Sequence, residues 1–185
     1  METTMTKTRS MVQCALFAAL VAIGAFIQIP VPYMDYFTLQ FLFVLLAGML
    51  LGSARGALSV SVYVLVGLVG FPVFAAGGGI QYIFRPSFGY LLGFILAAWV
   101  AGFIIQRGQK QNYGRCLLAA FTGLLVTYAI GLIYKYMILN FYMAEPTPWS
   151  IVLLSCFPLD LPGDILLCFT GAGLAHRIKP LLRRI

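Results

Sequence analysis

Residues 11–29 run for 19 positions without a charged side chain. As a helix they would rise about 28 Å, close to the roughly 30 Å thickness of a bilayer's hydrocarbon. A stretch of this kind belongs either in the core of a large soluble protein or in a membrane, and composition decides between them. Hydrophobic residues make up 62% of the 185-residue chain and charged residues 9%, against roughly 25% charged in an ordinary soluble domain. Too few polar groups remain to cover a surface in water, which excludes a soluble enzyme. Disorder needs the opposite balance. The expectation is an integral membrane protein.

Lys7 and Arg9 ahead of this run resemble the basic region of a signal peptide. The run is long for such a peptide, no A-x-A site follows, and Ile29-Pro30-Val31-Pro32 would stop a helix. An uncleaved first span is therefore expected. After a turn over 32–36 comes a second apolar stretch, 38–51, short enough to be tilted or sunk within a bundle. Residues 52–56, Gly-Ser-Ala-Arg-Gly, read as a tight turn before a third helix over 57–69.

Glycine disfavours helix by about 1 kcal/mol relative to alanine, so Gly77-Gly78-Gly79 marks irregular chain. Ile80-Gln81-Tyr82-Ile83-Phe84 is too apolar for a free loop, which favours a cap over a site. A fourth helix is expected over 87–106, with Pro86 at its start. A fifth covers 114–139, long enough to imply tilt or extension beyond lipid. The sixth segment, 149–176, is interrupted by Pro158, Pro162 and Gly163. The fold class expected is an all-α, six-transmembrane-helix bundle in a single membrane domain over 1–185. It comprises a cytoplasmic tail over 1–10, the bundle over 11–180 and a basic tail over 181–185.

Charge sets the orientation. Lys7, Arg9, Arg55, Arg107, Lys110, Arg115, Arg177, Lys179, Arg183 and Arg184 fall on one side of these spans, and only Arg85 and Lys135 fall toward the other. Ten against two is a positive-inside signal that puts both termini in the cytoplasm. The net charge of +7 forms no stripe, so it points to no nucleic-acid partner. Cys14, Cys116, Cys156 and Cys168 make no C-x-x-C pair, and with His176 the single histidine no zinc ligand set is expected.

Asp35, Arg85, Lys135, Glu145, Asp160 and Asp164 are left over, all toward the outer side. Glu145 reads as a solvated loop residue and Lys135 as a cation snorkelling to headgroups. Asp160 and Asp164 sit in apolar sequence, where an unpartnered carboxylate costs several kcal/mol. Asp160 suits an N-cap with Pro162 in the first turn. Asp164 suits an acceptor for a ligand's N–H groups, since broken helices recur at transporter sites. Arg85 could grip a carboxylate with two parallel bonds. Gln81, Tyr82, Tyr33, Tyr36 and Gln40 could add polar contacts or stacking.

Small residues recur at spacing four in Ala15/Ala19, Ala18/Ala22, Gly48/Gly52, Gly52/Gly56, Gly89/Gly93 and Ala97/Ala101, a pattern that lets helices approach closely in lipid. No P-loop is present to power transport with a nucleotide. No nucleophile elbow or H-E-x-x-H occurs either, so an enzyme is not expected.

Taken together, several stretches resemble the BioY family, the biotin-binding membrane subunit of energy-coupling factor vitamin transporters. They are Ile29-Pro30-Val31-Pro32 with Thr38-Leu39-Gln40, the run Gly67-Leu68-Val69-Gly70-Phe71-Pro72-Val73-Phe74, Gly77-Gly78-Gly79, Pro86-Ser87-Phe88-Gly89-Tyr90-Leu91-Leu92-Gly93-Phe94, and residues 157–164. The resemblance implies a six-helix subunit of a prokaryotic plasma membrane that captures extracellular biotin and needs no cofactor. Its implied partners are a transmembrane coupling protein and two cytoplasmic ATPases, docked at a small-residue face here formed by Ala15, Ala19 and Ala22. Gly77, Gly78 and Gly79 would form the gate over the vitamin, and Asp164 falls on the family's ligand-binding acid.

The chain departs from the family pattern at Leu167, where many members carry lysine, and at Arg85, where many carry glycine. The sequence-level expectation is that Arg85 holds the biotin carboxylate and Asp164 the ureido N–H groups. Two other classes stay open on sequence alone, a stand-alone facilitator and a membrane assembly protein.

Overall fold

A computed structural model describes residues 2–30, 36–108, 112–156 and 160–182. The chain is an all-α bundle with several apolar helices. In order these are α1 (Glu2–Phe26), α2 (Gln40–Leu51), α3 (Ser53–Val69), α4 (Phe88–Gln106), α5 (Tyr113–Met137), α6 (Trp149–Leu154) and α7 (Asp160–Leu182). Between α1 and α2 lie two short strands, β1 (Gln28–Pro30) and β2 (Tyr36–Thr38). By length and composition, helical stretches Lys7–Phe26, Phe88–Gln106 and Tyr113–Tyr142 can each cross a membrane, and Gln40–Leu51 and Ser53–Val69 are shorter apolar helices.

Apolar side chains point outward as well as inward. Leu16, Ile23, Leu65, Leu118, Leu125 and Leu166 are all exposed on helix surfaces, which in water would expose a large sticky surface and in lipid exposes none. The interior is sealed by small residues. A Cβ added to Gly48 of α2 would collide with the Ala98 carbonyl oxygen of α4, and one added to Gly93 of α4 would meet Thr127 Cα of α5 at 2.9 Å. Helix backbones that close gain dispersion contacts, which drive association where water does not. The pairs Ala97/Ala101 and Gly48/Gly52 are thus internal packing.

α2 is the centre of the bundle. It packs on α1, α3, α4 and α7, and Gln40, Phe41, Leu42, Val44, Leu45, Leu46, Ala47, Gly48 and Met49 are buried. Twelve residues rise only about 18 Å, so a helix too short to span alone is enclosed by longer ones.

Several boundaries differ from the sequence reading. α1 begins at Glu2, so the stretch read as a tail continues the first helix. The expected turn over 32–36 falls mostly outside the described residues. Its flanks pair as an antiparallel ribbon, Gln28 with Thr38, Ile29 with Phe37 and Pro30 with Tyr36, where only a turn was expected. The tight turn over 52–56 shrinks to Gly52 alone, whose φ of +90° is open to glycine without a Cβ clash; Ser53 already starts α3. A five-residue π turn, Ile138–Tyr142, prolongs α5.

The sixth segment is two helices. Pro162 and Gly163 do not interrupt it but lie in the first turn of α7, where proline lacks no bond it would otherwise make. Pro158 lies outside the described residues. Asp160 is itself the first residue of α7 rather than a cap ahead of it, a shift of one position that lies within ordinary boundary scatter.

The two ends of the bundle differ in chemistry. At one end Ser53 Oγ donates to Gln106 Oε1 at 2.7 Å and Arg115 Nε donates to the Ile104 carbonyl at 2.9 Å, so the α2–α3 and α4–α5 junctions with their arginines lie there. At the other end meet the starts of α2, α4 and α7 and the end of α5.

Candidate ligand-binding cavity

That second end encloses a cavity of about 770 Å³ of atom-free space, counting the part open to solvent, and its lining includes Thr38, Gln40, Ala75, Tyr82, Lys135 and Asp160. Helical periodicity explains the lining from α4. Ser87 just before it and Tyr90, Leu91 and Phe94 within it recur at spacings of three and four, so all face inward. Phe37 and Phe41 complete an apolar wall, and the rings of Phe41 and Phe94 stack with centroids 6.0 Å apart.

Asp164, one turn into α7, accepts a hydrogen bond from the Tyr128 hydroxyl of α5 at 2.9 Å. Asp160 lines the cavity one turn nearer the helix start. The Tyr90 hydroxyl and Cys156 Sγ are 3.1 Å apart, and the rings of Tyr90 and Tyr128 meet edge to face at 5.8 Å. The Ser87 hydroxyl is buried without a hydrogen-bond partner among the described residues. Such a group is costly until something bonds it.

Gln40 is anchored rather than free. Its Oε1 accepts from Thr38 Oγ1 at 3.2 Å, and its Nε2 donates to the Tyr63 hydroxyl. That hydroxyl donates in turn to the Val73 carbonyl at 3.1 Å. The glycine-rich segment is a compact turn. Phe74 and Gly77 exchange backbone bonds of 2.8 and 3.1 Å, and the Gly79 N–H donates to the Gly67 carbonyl at 2.7 Å. Gly77 and Gly79 hold φ values of +108° and +104°, which L side chains rarely adopt. The Phe74 ring meets Tyr63 at 5.5 Å and Tyr82 at 4.5 Å, so the turn is packed onto the bundle, and Ala75 from it lines the cavity.

The sequence candidates are thus divided. Asp160, Asp164, Gln40 and Tyr82 are brought together in the lining. Gln81 is exposed, and its Nε2 donates to the Gly78 carbonyl at 3.0 Å. Arg85 is exposed too, its guanidinium 5.5 Å from the Tyr82 ring centroid, and it is not part of the lining. Of Tyr36 only the strand backbone is described, and Tyr33 lies outside the described residues. On α1, Ala15 and Ala19 face outward while Ala22 is half-buried against the core.

Sequence reasoning missed Lys135, which turns inward instead of snorkelling. It lines the cavity, and its Nζ donates to Ser155 Oγ at 3.0 Å. The seven-residue spacing from Tyr128 was the available signal, because positions seven apart share a helix face.

Fold and cavity together define a membrane-type helical bundle with a cavity of mixed aromatic and polar lining at one end, between the start of α7 and the end of α5. The chain belongs to the BioY family, whose model matches residues 1–184. A protein of Lysinibacillus sphaericus described as a probable biotin transporter BioY is 45% identical over 176 residues, covering 95% of this chain and 89% of its own length. The biotin transporter BioY of Thermotoga maritima is 40% identical over 138 residues, covering 74% and 78%. A crystal structure of the S-component for biotin from an ECF-type ABC transporter has the same fold, with a TM-score of 0.82 over 95% of this chain and 93% of that one, at 24% identity.

Proposed function

We propose that this protein captures biotin from outside the cell and serves as the substrate-specific subunit of an ATP-driven vitamin importer, not as an enzyme. The observation that carries this reading is the Asp164 carboxylate, held by Tyr128 within a largely aromatic and aliphatic cavity. A carboxylate in such surroundings is suited to a ligand with adjacent N–H donors and an apolar body, as in biotin's ureido ring. The ring system packs against Phe37, Phe41, Phe94 and Tyr82, and the Ser87 hydroxyl offers a further polar contact. Family membership and the names of the curated relatives support biotin as the ligand.

In this reading the bundle crosses the membrane six times, with the arginine-rich end and both termini in the cytoplasm and the cavity facing out. α6 and α7 together act as the sixth span. The turn carrying Gly77, Gly78 and Gly79 closes over the ligand. The outward face of α1, with Ala15 and Ala19, docks a transmembrane coupling protein, which two cytoplasmic ATPases drive. Arg85, exposed and outside the lining, takes no part in holding the carboxylate.

Equilibrium binding of labelled biotin to the purified protein in detergent tests this, with Asp164→Asn alongside. Saturable one-to-one binding, weakened about 10- to 150-fold in Asp164→Asn, is expected. Folded protein that binds no biotin would refute the assignment.

A further inference from the structure

Among the described residues the cavity lining holds two carboxylates and one ammonium, with Asp160 one helical turn nearer the start of α7 than Asp164. Tyr128 and Lys135 are seven residues apart on α5, so Lys135 stands about 10 Å beyond Tyr128 along the axis. Asp164 is bonded to Tyr128 and marks the deep level. Lys135 marks the outer one.

A lysine at the end of a lipid-facing helix would extend toward headgroups. This one is held inward. Its ammonium donates to Ser155 Oγ at 3.0 Å, and the Ser155 hydroxyl donates its own proton to the Val152 carbonyl at 2.6 Å. With that proton committed to the carbonyl, the serine presents lone pairs to the ammonium and cannot compete as a donor. α6 (Trp149–Leu154), too short to span anything, delivers this one hydroxyl beside the cavity. An ammonium has three donors, and the serine takes one.

We propose that Lys135 is the residue that reads the ligand's carboxylate, with Ser155 as its positioning residue, and that Arg85 is not. This inference rests on the reading of the cavity as a biotin site. Acceptor oxygens at the deep level and an ammonium two turns farther out fit a molecule with N–H donors at its head and a carboxylate at the end of its tail. They also favour one direction: the reversed pose sets carboxylate against Asp164 with no cation at that level, whereas at the outer level Lys135 offsets Asp160. Arg85 lies outside the lining, where water screens it.

The test is competition of biotin and its uncharged methyl ester for the labelled vitamin on the full-length protein in detergent. Wild type, Lys135→Met, Lys135→Gln, Lys135→Arg, Ser155→Ala and Arg85→Gln are compared. The wild type should prefer the acid to the ester. Lys135→Met should lose about 10- to 150-fold for biotin and little for the ester, so that the preference collapses. Lys135→Arg should keep most of the preference, Ser155→Ala should reduce it without weakening ester binding, and Arg85→Gln should leave it intact. If Lys135→Met does not fold, Lys135→Gln decides. A wild-type preference that survives loss of the lysine charge, or that disappears in Arg85→Gln, overturns the inference while biotin binding still stands. A wild type that binds neither compound refutes the biotin reading itself.

Discussion

The Tyr128 hydroxyl donates to Asp164 Oδ2 at 2.9 Å, a bond that joins α5 to the first turns of α7 and fixes the carboxylate's orientation. One lone pair of Oδ2 is thereby occupied, and in the proposed site the remaining acceptor positions take the ligand's N–H groups. Removing the donor and removing the charge are therefore different experiments. Tyr128→Phe should weaken biotin binding only about 2- to 12-fold, in line with about 0.5–1.5 kcal/mol for one hydrogen bond. Asp164→Asn should cost more. Equal losses in a binding titration would show that Tyr128 does more than orient the acid.

The α2–α4 contact makes a prediction about stability alone. A Cβ at Gly48 would stand 3.0 Å from Ala98 Cα and carbonyl carbon, and a helix backbone cannot yield as a side chain can. Gly48→Ala should destabilise the protein by about 1–3 kcal/mol through overpacking. A clear drop in midpoint is expected in a thermal aggregation assay in detergent. An unchanged midpoint would mean that the helices part at little cost.

On α1, neighbouring alanines should behave oppositely. Ala19 is exposed and Ala18 is 9% exposed within the core. Ala19→Trp should leave biotin affinity within about twofold yet abolish ATP-driven uptake when the protein is reconstituted with its coupling module, since bulk on that face blocks close helix approach. Ala18→Trp should not fold. Loss of biotin binding in a well-folded Ala19→Trp would remove this face as a docking surface.

The glycine-rich turn offers a substitution that isolates backbone strain. Nothing lies within 4 Å of a Cβ built on Gly77, but its φ is +108°. Gly77→Ala should therefore act through conformation alone, at about 1–2 kcal/mol, and reduce biotin affinity about 5- to 30-fold if the turn must be folded for tight binding. An affinity equal to wild type would separate the turn from ligand retention.

The long apolar runs, the breaks at proline and glycine, and the acids gathered at the start of the last helix could be read from sequence because each is a local property. The paired ends of residues 28–30 and 36–38 could not, since strand pairing depends on what faces each short segment across the turn. The two cations at the cavity end were harder still. Arg85 and Lys135 each had a headgroup and a cavity within reach, and no spacing rule separates those fates. A serine 20 positions away at the end of α6 decides for Lys135. For Arg85 the short helical turn Ile80–Phe84 ends with the guanidinium outside.

The chain of bonds from Gln40 through Tyr63 to the Val73 carbonyl ties the cavity wall to the root of the segment above it. Breaking either bond would strand a buried polar group at a cost of about 1–3 kcal/mol, so Val73 moves only with the wall. In the proposed gate Val73 is therefore the fixed post, and any movement falls to the residues beyond it, where the backbone bonds of Phe74, Gly77 and Gly79 would have to open. Gln40, part of the chamber's lining, thus also anchors the root of the turn through Tyr63.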